Sequence, residues 1–203
     1  MRRWWLLAVG AILVVITAII HLNSTWIQDN QRATMPTNTL SLNIPAFADG
    51  DKIPPKYTCD APPDGGQASP AIEISGVPEG TVSLALITDD PDIPDVFKQQ
   101  RGISEFVHWV LFNIPAPPVG GDIRIAEGGS VGTAGANGAG ANAYTGPCPP
   151  TQYEPREHRY LFKLYALDQT LPLSAGASAA DVEKAMEGHV LAQAQYVGRY
   201  QRQ

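Results

Sequence analysis

Three short runs most restrict what this chain can fold into. Val82 to Thr88 (VSLALIT), Phe106 to Phe112 (FVHWVLF) and His158 to Leu167 (HRYLFKLYAL) are apolar on both alternating faces. A strand apolar on one face covers a core from one side, whereas a strand apolar on both lies centrally between two layers. Simple alternation puts Phe106, His108, Val110 and Phe112 on one face of the second run, and Val107, Trp109 and Leu111 on the other. In the third, His158, Tyr160, Phe162, Leu164 and Ala166 share a face. The first run ends abruptly at Asp89-Asp90-Pro91-Asp92. Thr39 to Ile44 and Ala71 to Ile74 are shorter strand candidates, and Pro54-Pro55, Pro117-Pro118 and Gly120-Gly121 mark turns. The chain holds 19 Gly and 18 Pro, an excess that favours tight turns over a helical bundle.

One helix is expected near the C-terminus. Ser178 caps it, Asp181 and Glu183 suit its positive end, and Val182, Met186 and Val190 or Leu191 form its apolar stripe. Gly188 interrupts or ends it. Beyond, Ala194, Tyr196, Gly198 and Tyr200 alternate with Gln193, Gln195, Val197 and Arg199 as a last strand. The fold class is therefore mainly β, an antiparallel β-sandwich with one helix packed on it.

The N-terminal part reads differently. Residues 4–22 (WWLLAVGAILVVITAIIHL) carry no Asp, Glu, Lys or Arg. At a rise of about 1.5 Å per residue this run spans roughly 28 Å, close to the hydrocarbon thickness of a bilayer. Arg2 and Arg3 precede it and no basic residue follows until Arg32, so residues 1–3 are expected in the cytoplasm and the run is read as a transmembrane signal anchor. Residues 23–39 form a juxtamembrane linker, and residues 40–203 an exported domain. A cleaved signal peptide, which would leave the domain secreted, fits less well, because the run exceeds the usual ~7–15 apolar residues and no A-x-A-like site follows.

Charge excludes one function class. The chain has 14 basic and 20 acidic residues, and removing residues 1–33 takes away three Arg and one Asp, leaving 11 and 19. A nucleic-acid-coating protein needs the opposite balance to displace counterions. Any anion this domain binds is held by a local pocket rather than by the general field.

Three segments carry candidate chemistry. Asp89, Asp90, Asp92 and Asp95 crowd a strand end, as an acidic turn or as a functional loop with Pro94. His108 lies within the most apolar strand, where its ring nitrogens need partners, either as a satisfied core histidine or at a cavity beside an Asp. Tyr144-Thr145-Gly146-Pro147-Cys148-Pro149-Pro150 is a stiff loop in which glycine permits close approach to the backbone. His158 and Tyr160, two apart on a strand, then point to one side.

Taken in order, the DDPDxP loop, FVHWVLFNIP, GPCPP and HRYxFxLYALD resemble the phosphatidylethanolamine-binding protein family, which includes the Raf kinase inhibitor proteins. The likeness is to its bacterial and archaeal, YbhB/YbcL-like branch. It extends to Tyr57-Thr58-Cys59-Asp60 and to Glu187 to Ala192, and covers about residues 40–201. The resemblance implies a β-sandwich with a small pocket for phosphate-like anions or phospholipid headgroups, lined by Asp90, Asp92, Pro94, His108, Gly146, Pro147, His158 and Tyr160. It also implies a binding or inhibitory protein, with a protein kinase or protease as a partner, rather than an enzyme, and no cofactor. A scaffold or inhibitor acting through its surface rim is the alternative. Metal binding and hydrolysis rank lower, since neither H-x-H nor H-E-x-x-H occurs and Cys148 lies between prolines rather than at a helix start.

The chain departs from the family pattern in three places. Asp95 to Ser104 is longer than the compact loop of many bacterial members, Gly128 to Ala143 holds six glycines and lacks the expected aromatic residue, and no helix follows the final strand. Cys59 and Cys148 are the only cysteines, and both a disulfide and simple packing remain open for them.

Overall fold

The computed structural model describes residues 39–62, 67–118 and 120–202, all in the unit Asn38–Gln203. The expected cytoplasmic N-terminus, transmembrane anchor and most of the linker lie outside the described residues. Among the described residues no helix is long and apolar enough to cross a membrane.

Two antiparallel sheets form the sandwich. The smaller pairs β1 (Ser41–Asn43), β2 (Ile72–Ser75) and β5 (Ile123–Ile125) in the order β1-β2-β5. The larger comprises β3 (Ser83–Asp90), β4 (Phe106–Pro115), β6 (Thr133–Ala134), β7 (His158–Leu167) and β8 (Val190–Tyr200), in the order β6-β4-β3-β7-β8. β3 sits at its centre and is buried along its whole length, including the two aspartates at which the apolar run was expected to stop. Leu42, Ile72, Ile74 and Ile125 meet Leu84, Leu86, Phe162 and Leu164 between the sheets. The opposite face of the large sheet, with Ala85, Ile87, Val110 and Phe112, is covered by Leu171 and by Val182 and Met186 of a helix. Both faces are therefore dry, as runs apolar on both sides require.

That helix, Ala179–Met186, begins at Ser178 with a capping box: the Ser178 side chain accepts from the Asp181 amide while Asp181 reaches back to the Ser178 amide. It stops before Gly188, which has φ 80°, so Val190 and Leu191 belong to β8 and not to the helical stripe. The helix at Ala179–Met186 is not alone. Asp95–Arg101, expected as a loop, is a second helix, labelled α1 here, with Ala179–Met186 as α2. Pro94 precedes its first turn, Asp95 lies at its positive end, and Gly102 at φ 65° ends it, the amides of Gly102 and Ile103 both returning to the Lys98 carbonyl.

The strict alternation expected for FVHWVLF also fails, at His108. Thr88 pairs with Trp109 and Asp89 with Val107, so His108 is an extra residue without a partner on β3. Such a bulge turns the following residues to the other face. Val107 packs with Val110 and Phe112 towards α2, while Trp109 and Leu111 face the core between the sheets. His108 leaves the Val110 face and lies edge-on to Tyr160 at 5.1 Å and to Phe106 at 4.9 Å.

The glycine-rich segment is pinned at several points. β6 pairs with β4, and the buried Asn137 side chain accepts from the amides of Ala139 and Ala141 and donates to the Ala143 carbonyl and the Thr145 hydroxyl.

Candidate ligand-binding pocket

The ends of β3, β4 and β7 converge on a surface pocket of about 320 Å³. Asp90, His108 and His158 line its floor, and the Thr145–Gly146 and Cys148–Pro150 stretches form one wall. Helix α1 and its flanks supply the other, through Ile93, Pro94, Phe97, Arg101 and Ile103.

Each floor side chain is held by a different neighbour. Asp90, 2% exposed, accepts His158 Nδ1–H at 2.7 Å through Oδ2 and the Asp92 amide at 2.8 Å through Oδ1. His108 Nδ1 lies 2.7 Å from the Thr145 carbonyl, which can only accept, so Nδ1 carries the proton. The Thr145 amide returns a hydrogen bond to the His108 carbonyl at 2.9 Å. Burial holds the His108 pKa below the usual histidine value, opposed by the Thr145 contact and by the Asp90 charge. His108 is thus neutral, and its Nε2 carries a lone pair. His158 is completely buried, and its Nε2 has no hydrogen-bond partner among the described residues. With both Nδ1 atoms committed to protein acceptors, two Nε2 atoms are left over at the floor.

Not every residue expected in the pocket lies in it. Asp92 grips Arg159 instead, with Oδ1 accepting from Nη2 at 2.7 Å and Oδ2 from Nε at 2.8 Å and from the Arg159 amide at 2.9 Å. That contact lowers the Asp92 pKa. Pro147 does not line the pocket, and its carbonyl accepts the Cys59 amide at 3.0 Å. Tyr160 is packed behind the floor against His108. Its buried hydroxyl is unpartnered among the described residues, and its pKa is raised by burial and by the Asp90 charge.

Gly146 lines the pocket, but the reason for glycine lies on its other side. A Cβ there would meet the Tyr57 carbonyl oxygen at 2.6 Å and Thr58 Cα at 2.9 Å, and the Gly146 amide is already donated to Gln67 Oε1. Cys59 and Cys148 form a disulfide with Cα atoms 5.3 Å apart, which closes the packing alternative and fastens this wall to the Tyr57–Asp60 loop.

The acidic run divides into four tasks. Asp89 faces the α2 side and pairs with Lys163, Asp90 holds His158, Asp92 holds Arg159, and Asp95 opens α1 near Lys98. Sequence reasoning missed Phe97 and Arg101, which line the pocket from a helical segment, and Ile103, which lies just beyond that helix's Gly102 cap. Among the described residues no group of three or more His, Cys, Asp or Glu is placed to hold a metal ion.

Comparison with known proteins agrees with this architecture. Residues 43–201 match the family model described as phosphatidylethanolamine-binding protein. A UPF0098 protein of Methanothermobacter thermautotrophicus is 43% identical over 166 residues, covering 80% of this chain and 99% of the relative. The crystal structure of a putative phosphatidylethanolamine-binding protein homolog from Chlamydia trachomatis is similar with TM-score 0.69 at 36% identity, covering 82% of this chain and 99% of that one. Escherichia coli YbcL, described as a new member of the mammalian family, is similar with TM-score 0.67 at 26% identity, covering 81% and 99%.

Proposed function

The chain belongs to the phosphatidylethanolamine-binding protein family, and from that premise we propose that its pocket binds a phosphate-like oxyanion, as a soluble phosphate compound or as a phospholipid headgroup. The observation that carries this reading is the fully buried His158 Nε2, left without a partner at the floor while Nδ1 is fixed to Asp90. A buried polar atom without a partner is costly, and an oxyanion repays it when Nε2 bears a proton, which the Asp90 carboxylate balances. The neutral His108 Nε2 is complementary in the other sense and accepts from a ligand hydroxyl or N–H. On this reading the protein acts by binding rather than by bond-breaking.

Two or three charge-assisted bonds at about 1.5–3 kcal/mol each, less the ordering cost, give a dissociation constant on the order of micromolar to millimolar. Calorimetry with phenyl phosphate tests this. One-to-one binding is expected, and no binding at millimolar ligand refutes the reading.

The disulfide supports an exported location for the domain, since such bonds persist in oxidising compartments. The apolar run at residues 4–22 supports a membrane anchor with the domain on the extracytoplasmic side.

A further inference from the structure

The charge of the pocket is not settled by its floor. Asp90 is negative and His108 is neutral, so a proton on His158 only brings the floor to zero. The one other charged residue that lines the pocket is Arg101. It sits in the last turn of α1, one helical turn from Phe97, so both project from the same face towards the pocket. The helix is fastened there by Phe97 against Tyr153, ring centroids 5.4 Å apart.

A second observation concerns pairing. Every other described arginine has a carboxylate partner: Arg124 with Glu73, Arg156 with Glu154, Arg159 with Asp92, Arg199 with Glu157 and Arg202 with Asp60. Arg101 has none among the described residues, although the chain carries an excess of acidic groups. Among the described residues, the one guanidinium left unpaired therefore belongs to an exposed residue that lines the pocket together with Phe97, Ile103 and Phe106.

We propose that Arg101 is the specificity-determining residue of the pocket, selecting a doubly charged phosphate monoester with a compact apolar substituent over a singly charged phosphodiester. The proposal rests on the oxyanion reading above. A floor of zero net charge tolerates a monoanion, but a second negative charge needs a second cation. Coulomb energy scales with ligand charge, so losing Arg101 harms a dianion about twice as much, in free energy, as a monoanion at the same site. The apolar substituent packs on Phe97 and Ile103, while the monoester's charged terminus bridges the floor and the guanidinium.

The test uses Arg101→Gln and Arg101→Lys in the full chain, titrated calorimetrically with phenyl phosphate and with methyl phenyl phosphate near pH 8, above the second phosphate pKa of about 6. Arg101→Gln is expected to weaken the monoester roughly tenfold and the diester roughly threefold, and Arg101→Lys to recover most of the monoester affinity. Equal losses for the two ligands, or no loss, overturn the assignment, because a merely structural role of the helix terminus would move both alike. If the unaltered protein binds neither compound, the oxyanion reading itself fails, a result separate from binding that ignores Arg101. Dihexanoyl phosphatidate, which carries the same terminus on a lipid, is titrated in parallel. The same dependence on Arg101 is expected, and whichever of the two monoesters binds tighter identifies a lipid or a soluble source.

Discussion

The floor and the rim of the pocket are built in different ways. Asp90, His108 and His158 come from three adjacent strands of one sheet, are at most 4% exposed, and each has a fixed partner on another segment. The rim is a two-turn helix and a loop, joined to the rest by the Phe97–Tyr153 contact and the Asp92–Arg159 pair. A side chain on the floor cannot move without breaking strand register or stranding a buried polar group. One on the rim changes at little cost to the fold. The difference implies that oxyanion binding and ligand choice are separable, with the first placed in the sheet and the second in α1.

The largest effect should follow from breaking the floor. Asp90→Ala leaves a buried imidazole N–H without its acceptor and the Asp92 amide without its cap, and each buried polar group left unsatisfied costs about 1–3 kcal/mol. Urea unfolding should show that loss together with undetectable phenyl phosphate binding. A variant with unchanged stability would mean that the floor is no more rigidly built than the rim.

Next comes Gly146→Ala, which strikes the wall between the two regions. The new methyl group meets the Tyr57 carbonyl oxygen at 2.6 Å, a backbone atom held by the neighbouring disulfide, so the wall must shift. Overpacking of this kind costs about 1–3 kcal/mol. Because the clash lies away from the ligand, thermal unfolding should register it more strongly than ligand affinity does. A large affinity loss with no change in melting would instead place the glycine requirement on the ligand side.

Much of the floor is legible in the amino-acid sequence, and most of the rim is not. Strands of period two advertise themselves, so β7 reads from the sequence with the bounds it has, and Asp90, His108 and His158 stand out as polar residues in apolar runs. What alternation cannot foretell is a bulge, because it depends on the register with a partner strand, and so simple alternation puts His108 on the wrong face. Helix α1 is hidden because DVFKQQR is mostly polar and too short to show a stripe, and its stop signal, Gly102, reads equally as loop. Arg101 is hidden with it. Gly146 stands out rightly as a close-approach position, but the close neighbour is the protein's own backbone. The two cysteines are visible, yet their pairing needs two loops 89 residues apart to meet.

A smaller effect separates the two floor histidines. The His108 pKa is depressed in the folded state, so the unfolded chain binds the proton more readily. Stability from keeping this ring neutral is complete above the unfolded value of about 6.5 and declines as pH falls below it. His108→Gln should lower stability overall yet flatten this decline, read from urea midpoints between pH 8 and about pH 5.5. An unchanged slope would remove His108 as the neutral acceptor of the floor.

The smallest effect belongs to the rim clasp. Arg159 is 54% exposed and Asp92 17%, so solvent screens the pair and its loss should cost no more than about 1 kcal/mol. Its sign with pH is nonetheless definite. The Asp92 pKa is lowered from 3.8 by the Arg159 hydrogen bonds, so the stability it brings is present above that value and disappears as pH falls through the lower folded one. Arg159→Ala should therefore differ from the unaltered protein at neutral pH and converge with it in strong acid. The Asp92 amide still caps Asp90 in the variant, so ligand affinity should fall by less than about threefold, a change of under 1 kcal/mol. A tenfold loss would show that the clasp positions the floor through this amide, and the separation between binding and selection would have to be redrawn one residue further into the loop.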